Sequence, residues 1–134
     1  MAGLPVPVHG VRVRLRHVAG CGPFADITVD FYPPGAGGEP EFTNVVPDEK
    51  LPAEYGPALR NGIEEGLGGV AAAVVVTAGR HHEVDSSEFG FKTAGRMAGR
   101  AALVAAGLLP AEEAERLTKV TWPAKPGPKG GQGG

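Results

Sequence analysis

Arg80, His81, His82, Glu83 and Asp85 crowd together where an apolar run ends and a long helical pattern begins. Imidazoles and carboxylates at that density could ligate a metal or relay protons. Neighbouring side chains on an extended strand point to opposite faces, however, so His81 and His82 do not readily converge on one ion. Asp85 and Glu88 stand three apart, the spacing of a capping-box variant, which gives Asp85 a helix-capping role. No Ser–His or Cys–His pairing has a spacing that identifies nucleophilic chemistry. Neither catalysis, a metal site nor a cofactor is therefore expected. What these residues can do at a strand-to-helix corner is present polar groups to a partner.

Two further sets of cations have regular spacing. Lys92, Arg96 and Arg100 fall four apart, so they share one helix face that begins near the corner. Arg12, Arg14 and Arg16 alternate with Val11, Val13 and Leu15 and share one face of a strand. Either set could read phosphate; the helix set could equally be a solvated face, whereas for the strand a solvated face or an edge guarded by charge is the expected reading. Cys21 has no cationic or histidine neighbour in sequence to activate it, and a structural or incidental role is expected.

The elements that must position these groups are legible from periodicity. Residues 1–10, rich in Pro and Gly and without periodicity, read as a loose lead-in. Residues 11–16 and 27–32 alternate as strands and form an expected antiparallel pair around Ala19-Gly20-Cys21-Gly22-Pro23. Residues 41–46 are a short strand candidate. Pro57 can open a helix in which Leu59, Ile63 and Leu67 form the buried stripe. Ala58, Gly62 and Gly66 form a small-residue stripe beside it that permits close approach of a neighbour, and Gly68 and Gly69 stop it. Glu64 and Glu65 are expected on its solvated side. Residues 70–77 contain only Val, Ala and Thr and read as a central strand. A second helix is expected over about 86–106, stopped by Gly107 with Leu108 folding back. Residues 111–117 fit a short acidic helix, residues 118–122 have strand character, and Trp122 suits a sheet edge. The whole reads as one domain over 11–123, followed by a disordered Pro/Gly/Lys tail over 124–134.

Composition narrows the function classes. Thirteen Lys and Arg oppose fifteen Asp and Glu, so no global positive field holds the chain on nucleic acid, and any RNA contact must come from a local patch. A single cysteine excludes an internal disulfide and a multi-cysteine zinc site, and fits a reducing cytoplasm. The most apolar run is too short to span a bilayer, and the start lacks the order of a secretory signal, so a soluble, unexported protein without a membrane partner is expected.

Several stretches together resemble domain IV of bacterial elongation factor G: Ile27-Thr28-Val29-Asp30-Phe31-Tyr32-Pro33, then Glu41-Phe42-Thr43-Asn44, and Leu51-Pro52-Ala53-Glu54-Tyr55-Gly56-Pro57-Ala58-Leu59 with Gly62-Ile63. The most specific is His82-Glu83-Val84-Asp85-Ser86-Ser87-Glu88 with Phe91, Lys92 and Ala94 after it. The resemblance runs over roughly residues 11–110. It implies an α+β fold, a four-stranded sheet with two helices on one face and a left-handed β-α-β crossover. It also implies a non-catalytic, tRNA-mimicking module that enters the decoding region of the small ribosomal subunit, with a tip made by the loops at 18–26 and 79–85 and His82 as the tip histidine. No phosphate loop of the Gly-x-x-x-x-Gly-Lys-Ser/Thr type is present, so no nucleotide is expected.

The departures are specific too. Gly20-Cys21-Gly22-Pro23-Phe24 is shorter than the first tip loop of the family and lacks its arginine, and Asp26 stands where a histidine is usual. Both changes reduce attraction for phosphate. The expectation is a ribosome- or small-subunit-RNA-binding module, acting through Arg80, His81, His82, Lys92, Arg96 and Arg100. The alternative is a scaffold turned to binding an unidentified protein.

Overall fold

The computed structural model describes residues 3–15, 25–81 and 87–122. The expected first tip loop with Cys21, the corner residues His82, Glu83 and Asp85, and the tail over 124–134 lie outside them. Strands β1 (Val8–Leu15), β2 (Ala25–Tyr32), β3 (Glu41–Asn44), β4 (Ala73–Arg80) and β5 (Val120–Thr121) form one sheet in the order β3-β4-β2-β1-β5. Helix α1 (Gly56–Leu67) connects the adjacent parallel strands β3 and β4, and α2 (Glu88–Ala105) follows β4. The fold class is α+β as expected, but the sheet has five strands where four were expected. The fifth strand falls in the stretch 118–122 whose strand character the sequence shows, where Val120 and Thr121 pair with Val13 and Arg12, beyond the 11–110 span of the resemblance that implied four strands.

Alternation decides which face is covered. Val11, Val13, Ile27, Val29, Phe31 and Val76 are buried beneath the helices, with Leu59, Ile63 and Phe91 opposite them. The intervening Arg12, Asp26, Thr28 and Asp30 therefore lie on the other, open face. Two irregularities keep this alternation in phase. Between Val8 and Val11 the register shifts so that His9 and Gly10 share the space opposite Asp30. Gly10 has φ 69° there, a value glycine adopts without steric cost, and its amide donates to Asp30 Oδ1 at 2.7 Å. A second shift beside Thr77 lets Val76 stay in the core while Thr77 is exposed.

The expected loose lead-in over 1–10 is corrected over its described part. Leu4 is buried, its amide donates to the Ala71 carbonyl, Gly3 bridges Ala71, and β1 already begins at Val8. Tertiary contact orders this segment, which its local sequence does not do. The helices meet through glycines: a Cβ on Gly62 would run into the Lys92 carbonyl, and one on Gly66 into that of Arg96. Gly95 and Gly99 face back toward the Leu59 and Ile63 carbonyls. The small-residue stripe thus does what its spacing suggests.

The helix ends follow the sequence signals, with one correction. Gly68 stops α1 in the left-handed conformation. Beyond α2, the Leu108 amide donates to Leu103 and the Gly107 amide to Val104, a Schellman arrangement. The cap at the start of α2 is Ser87, whose Oγ accepts from the Gly90 amide at 3.1 Å, so the helix begins at Glu88, while the expected cap Asp85 lies outside the described residues. Trp122 does not merely cover a sheet edge: it is buried, and its indole donates to the Ala101 carbonyl on α2. Among the described residues no helix is long and apolar enough to cross a membrane.

Candidate nucleic-acid interface

Strand pairing brings cations that are remote in sequence into rows on the open face. Arg14 pairs with Asp26 across β1 and β2, and Asp26 pairs with Arg80 across β2 and β4. One pleat further along, Arg12 pairs with Thr28 and Thr28 with Ala78. Asp26 is the hub. Its carboxylate is buried, and it accepts from Arg12 Nε at 3.0 Å and Arg12 Nη2 at 2.8 Å in a two-point fork, with Arg14 Nε 3.7 Å away. Hydrogen bonding to Asp26, and then its charge, raises the Arg12 pKa further above its already high value. Arg12 is accordingly a fixed cation whose charge is largely offset by Asp26.

The segment after β3 supplies the second wall. The Asn44 side chain accepts from the Val46 amide, an Asx turn that ends the strand. Val46 and Leu51 are buried anchors, and the turn between them is held by Lys50 and Leu51 amides donating to the Pro47 carbonyl. Gly79 leaves room for this segment: a Cβ there would stand 3.0 Å from Leu51 Cδ2. Lys50 is thereby placed beside Arg80. The two line an open groove of about 400 Å³ together with Arg12, Asp26, Thr28 and Pro47.

His81 is committed to this placement. Its Nδ1 lies 3.0 Å from the Lys50 carbonyl, a geometry that uses a proton on Nδ1, and its ring packs against Tyr55 at a centroid distance of 6.4 Å. Tyr55 in turn stacks on Phe91 at 4.7 Å. His81 thus ties the 47–51 turn to the end of β4.

The expected basic stripe lies elsewhere. Lys92, Arg96 and Arg100 share a face of α2 as their spacing requires, but in the helical layer on the far side of the sheet from Arg12 and Arg80. Each is paired: Lys92 Nζ and Arg96 Nη1 reach Glu65 at 3.7 and 3.5 Å, and Arg100 Nη2 reaches Glu113 at 3.5 Å. Glu65, expected on a merely solvated face, serves two of them. Among the described residues, by contrast, neither Arg80 nor Lys50 has a carboxylate within ion-pair distance.

The structure therefore brings together Arg80 and His81, separates both from Lys92, Arg96 and Arg100, and leaves His82 outside the described residues. Sequence reasoning missed Lys50, which sits in an aperiodic turn between two acids and Leu51. It noted Asp26 only as a departure, because the clamp on Arg12 joins residues fourteen apart across two strands. Among the described residues no group of three or more His, Cys, Asp or Glu is arranged to hold a metal ion.

Residues 7–107 match the family model described as elongation factor G, domain IV. The chain belongs to that family. The match begins just before β1 and ends at the glycine that stops α2, so it takes in β1 to β4 and both helices. A crystal structure of a protein from Thermus thermophilus is similar in fold, with a TM-score of 0.62 at 23% identity over 72% of this chain. The matched region is 16% of that protein's length, so this elongation factor G domain IV relative corresponds to one part of a much larger chain.

Proposed function

We propose that this chain is a non-catalytic ribosome-binding module that contacts small-subunit ribosomal RNA and modulates translation in the cytoplasm, without nucleotide or cofactor. The observation that carries the reading is the family match over residues 7–107, joined to the position of Arg80 and His81 at the end of β4. That strand runs into the loop at 79–85 that the resemblance assigns to the tip. The reading takes the β3-α1-β4 crossover as left-handed, the hand that the resemblance implies.

Co-sedimentation of the purified protein with small ribosomal subunits at low and moderate salt tests it. Saturable binding that weakens with salt is expected, because phosphate contacts release counterions. A protein that stays in the supernatant at low salt overturns the proposal. The second reading, a protein-interaction module that has abandoned RNA, draws support from the net charge of −2 and from Glu65 and Glu113 compensating the helical cations. Capture of one defined protein partner without ribosomal components favours it.

A further inference from the structure

Resting on the ribosome-binding reading, we infer that the RNA-contacting surface of this protein is the open face of the sheet, with Lys50 and Arg80 as the phosphate-binding pair, and not the helical stripe of α2. Four cations, Arg12, Arg14, Lys50 and Arg80, converge on one side of a sheet that no helix covers. Against them on that face stand Asp26 at the floor of the groove, Asp30 further along β2 and Glu49 beside Lys50. In the groove lining itself Arg12, Lys50 and Arg80 oppose Asp26, so the groove is positive although the chain as a whole is negative.

What distinguishes this face from the stripe is commitment. Lys92, Arg96 and Arg100 already have acid partners, so their charge toward a phosphate is partly offset by Glu65 or Glu113. Arg12 is likewise held by Asp26, which fixes its position and offsets its charge. Lys50 and Arg80 are exposed, with no described carboxylate in ion-pair range, and face the same groove. Their backbones are fixed rather than floppy: Arg80 closes the β4 ladder opposite Asp26, and the Lys50 carbonyl is bonded to His81. The backbone therefore adds little to the ordering cost when an anion binds between them, and that cost falls on the two side chains. The groove is open and shallow, suited to an RNA backbone rather than to an enclosed small molecule.

The test uses the whole chain, purified small ribosomal subunits and a labelled single-stranded oligoribonucleotide, with binding measured across a salt series. Three proteins are compared: wild type, Lys50→Ala/Arg80→Ala and Arg96→Ala/Arg100→Ala. Both substituted pairs are solvent-reaching, and thermal melting checks that each variant is folded. The groove variant should bind more weakly, and the slope of log K against log salt should fall by about 0.7 to 0.9 for each phosphate that is no longer neutralised. The helix variant should keep the wild-type slope. Wild-type binding that survives in the groove variant and fails in the helix variant overturns the assigned surface while leaving the ribosome-binding reading intact. Absence of wild-type binding to both probes overturns both.

Discussion

Asp26 sets the character of the open face, and its substitution separates stability from affinity. Its carboxylate holds the Arg12 fork and lies within 3.7 Å of Arg14. Replacing Asp26 by Ala removes this clamp and should cost about 1–3 kcal/mol in urea unfolding, toward the lower end because the Arg12 head reaches solvent. The same change frees two guanidiniums, so RNA affinity should rise while stability falls. Tyr55 offers a second residue-scale check. Burial, and then the nearby Glu54 and Glu88 carboxylates, raise its pKa above the usual value of 10.0. Above that pH the unfolded chain releases the phenolic proton first, so the contribution, fully present below about pH 10, is lost as pH rises. Unfolding midpoints measured from about pH 9 to 11 should therefore fall more steeply for wild type than for Tyr55→Phe.

At the scale of elements, the α1–α2 contact depends on missing side chains. Gly66→Ala would drive a methyl group into the Arg96 carbonyl, and a destabilisation of about 1–3 kcal/mol or more is expected in denaturant titration. Gly56 provides the contrast. It opens α1 with φ −58°, and a Cβ there meets nothing within 4 Å beyond its chain neighbours, but Pro57 follows and disfavours the helical conformation for a residue with a Cβ, so Gly56→Ala should change stability by less than about 1 kcal/mol. The contrast follows from geometry, since both positions are helical glycines. At the other helix, Ser87→Ala removes the side chain that caps the Gly90 amide and should cost about 1 kcal/mol. The glycine stripe is legible in sequence because helical periodicity places Gly62 and Gly66 on one face. The cap is not, because Asp85, Ser86 and Ser87 all have capping chemistry, and only the backbone chooses among them.

For the molecule as a whole, the question is how far the single core extends, and it reaches beyond the periodic segments. Leu4 is 2% exposed and belongs to the same buried cluster as Phe31 and Ile63. Leu4→Ala should therefore cost about 2–5 kcal/mol in urea unfolding, whereas a loose lead-in would tolerate it within about half a kcal/mol. The resemblance that the family match confirms implied the α+β class, and local pattern by itself determined the antiparallel β1–β2 pair and the two helices with their stops. These depend on side-chain alternation at periods of two and 3.6, which neighbouring residues encode directly. Tertiary structure alone decided the rest. It chose the partner of the strand within residues 118–122, setting Val120 and Thr121 against Val13 and Arg12. It set Lys92, Arg96 and Arg100 against Glu65 and Glu113, and placed Lys50 and Arg80 on the open face with no described carboxylate in ion-pair range. Charge patterning along a chain counts cations, but only the packing of separate elements fixes which acid each one meets.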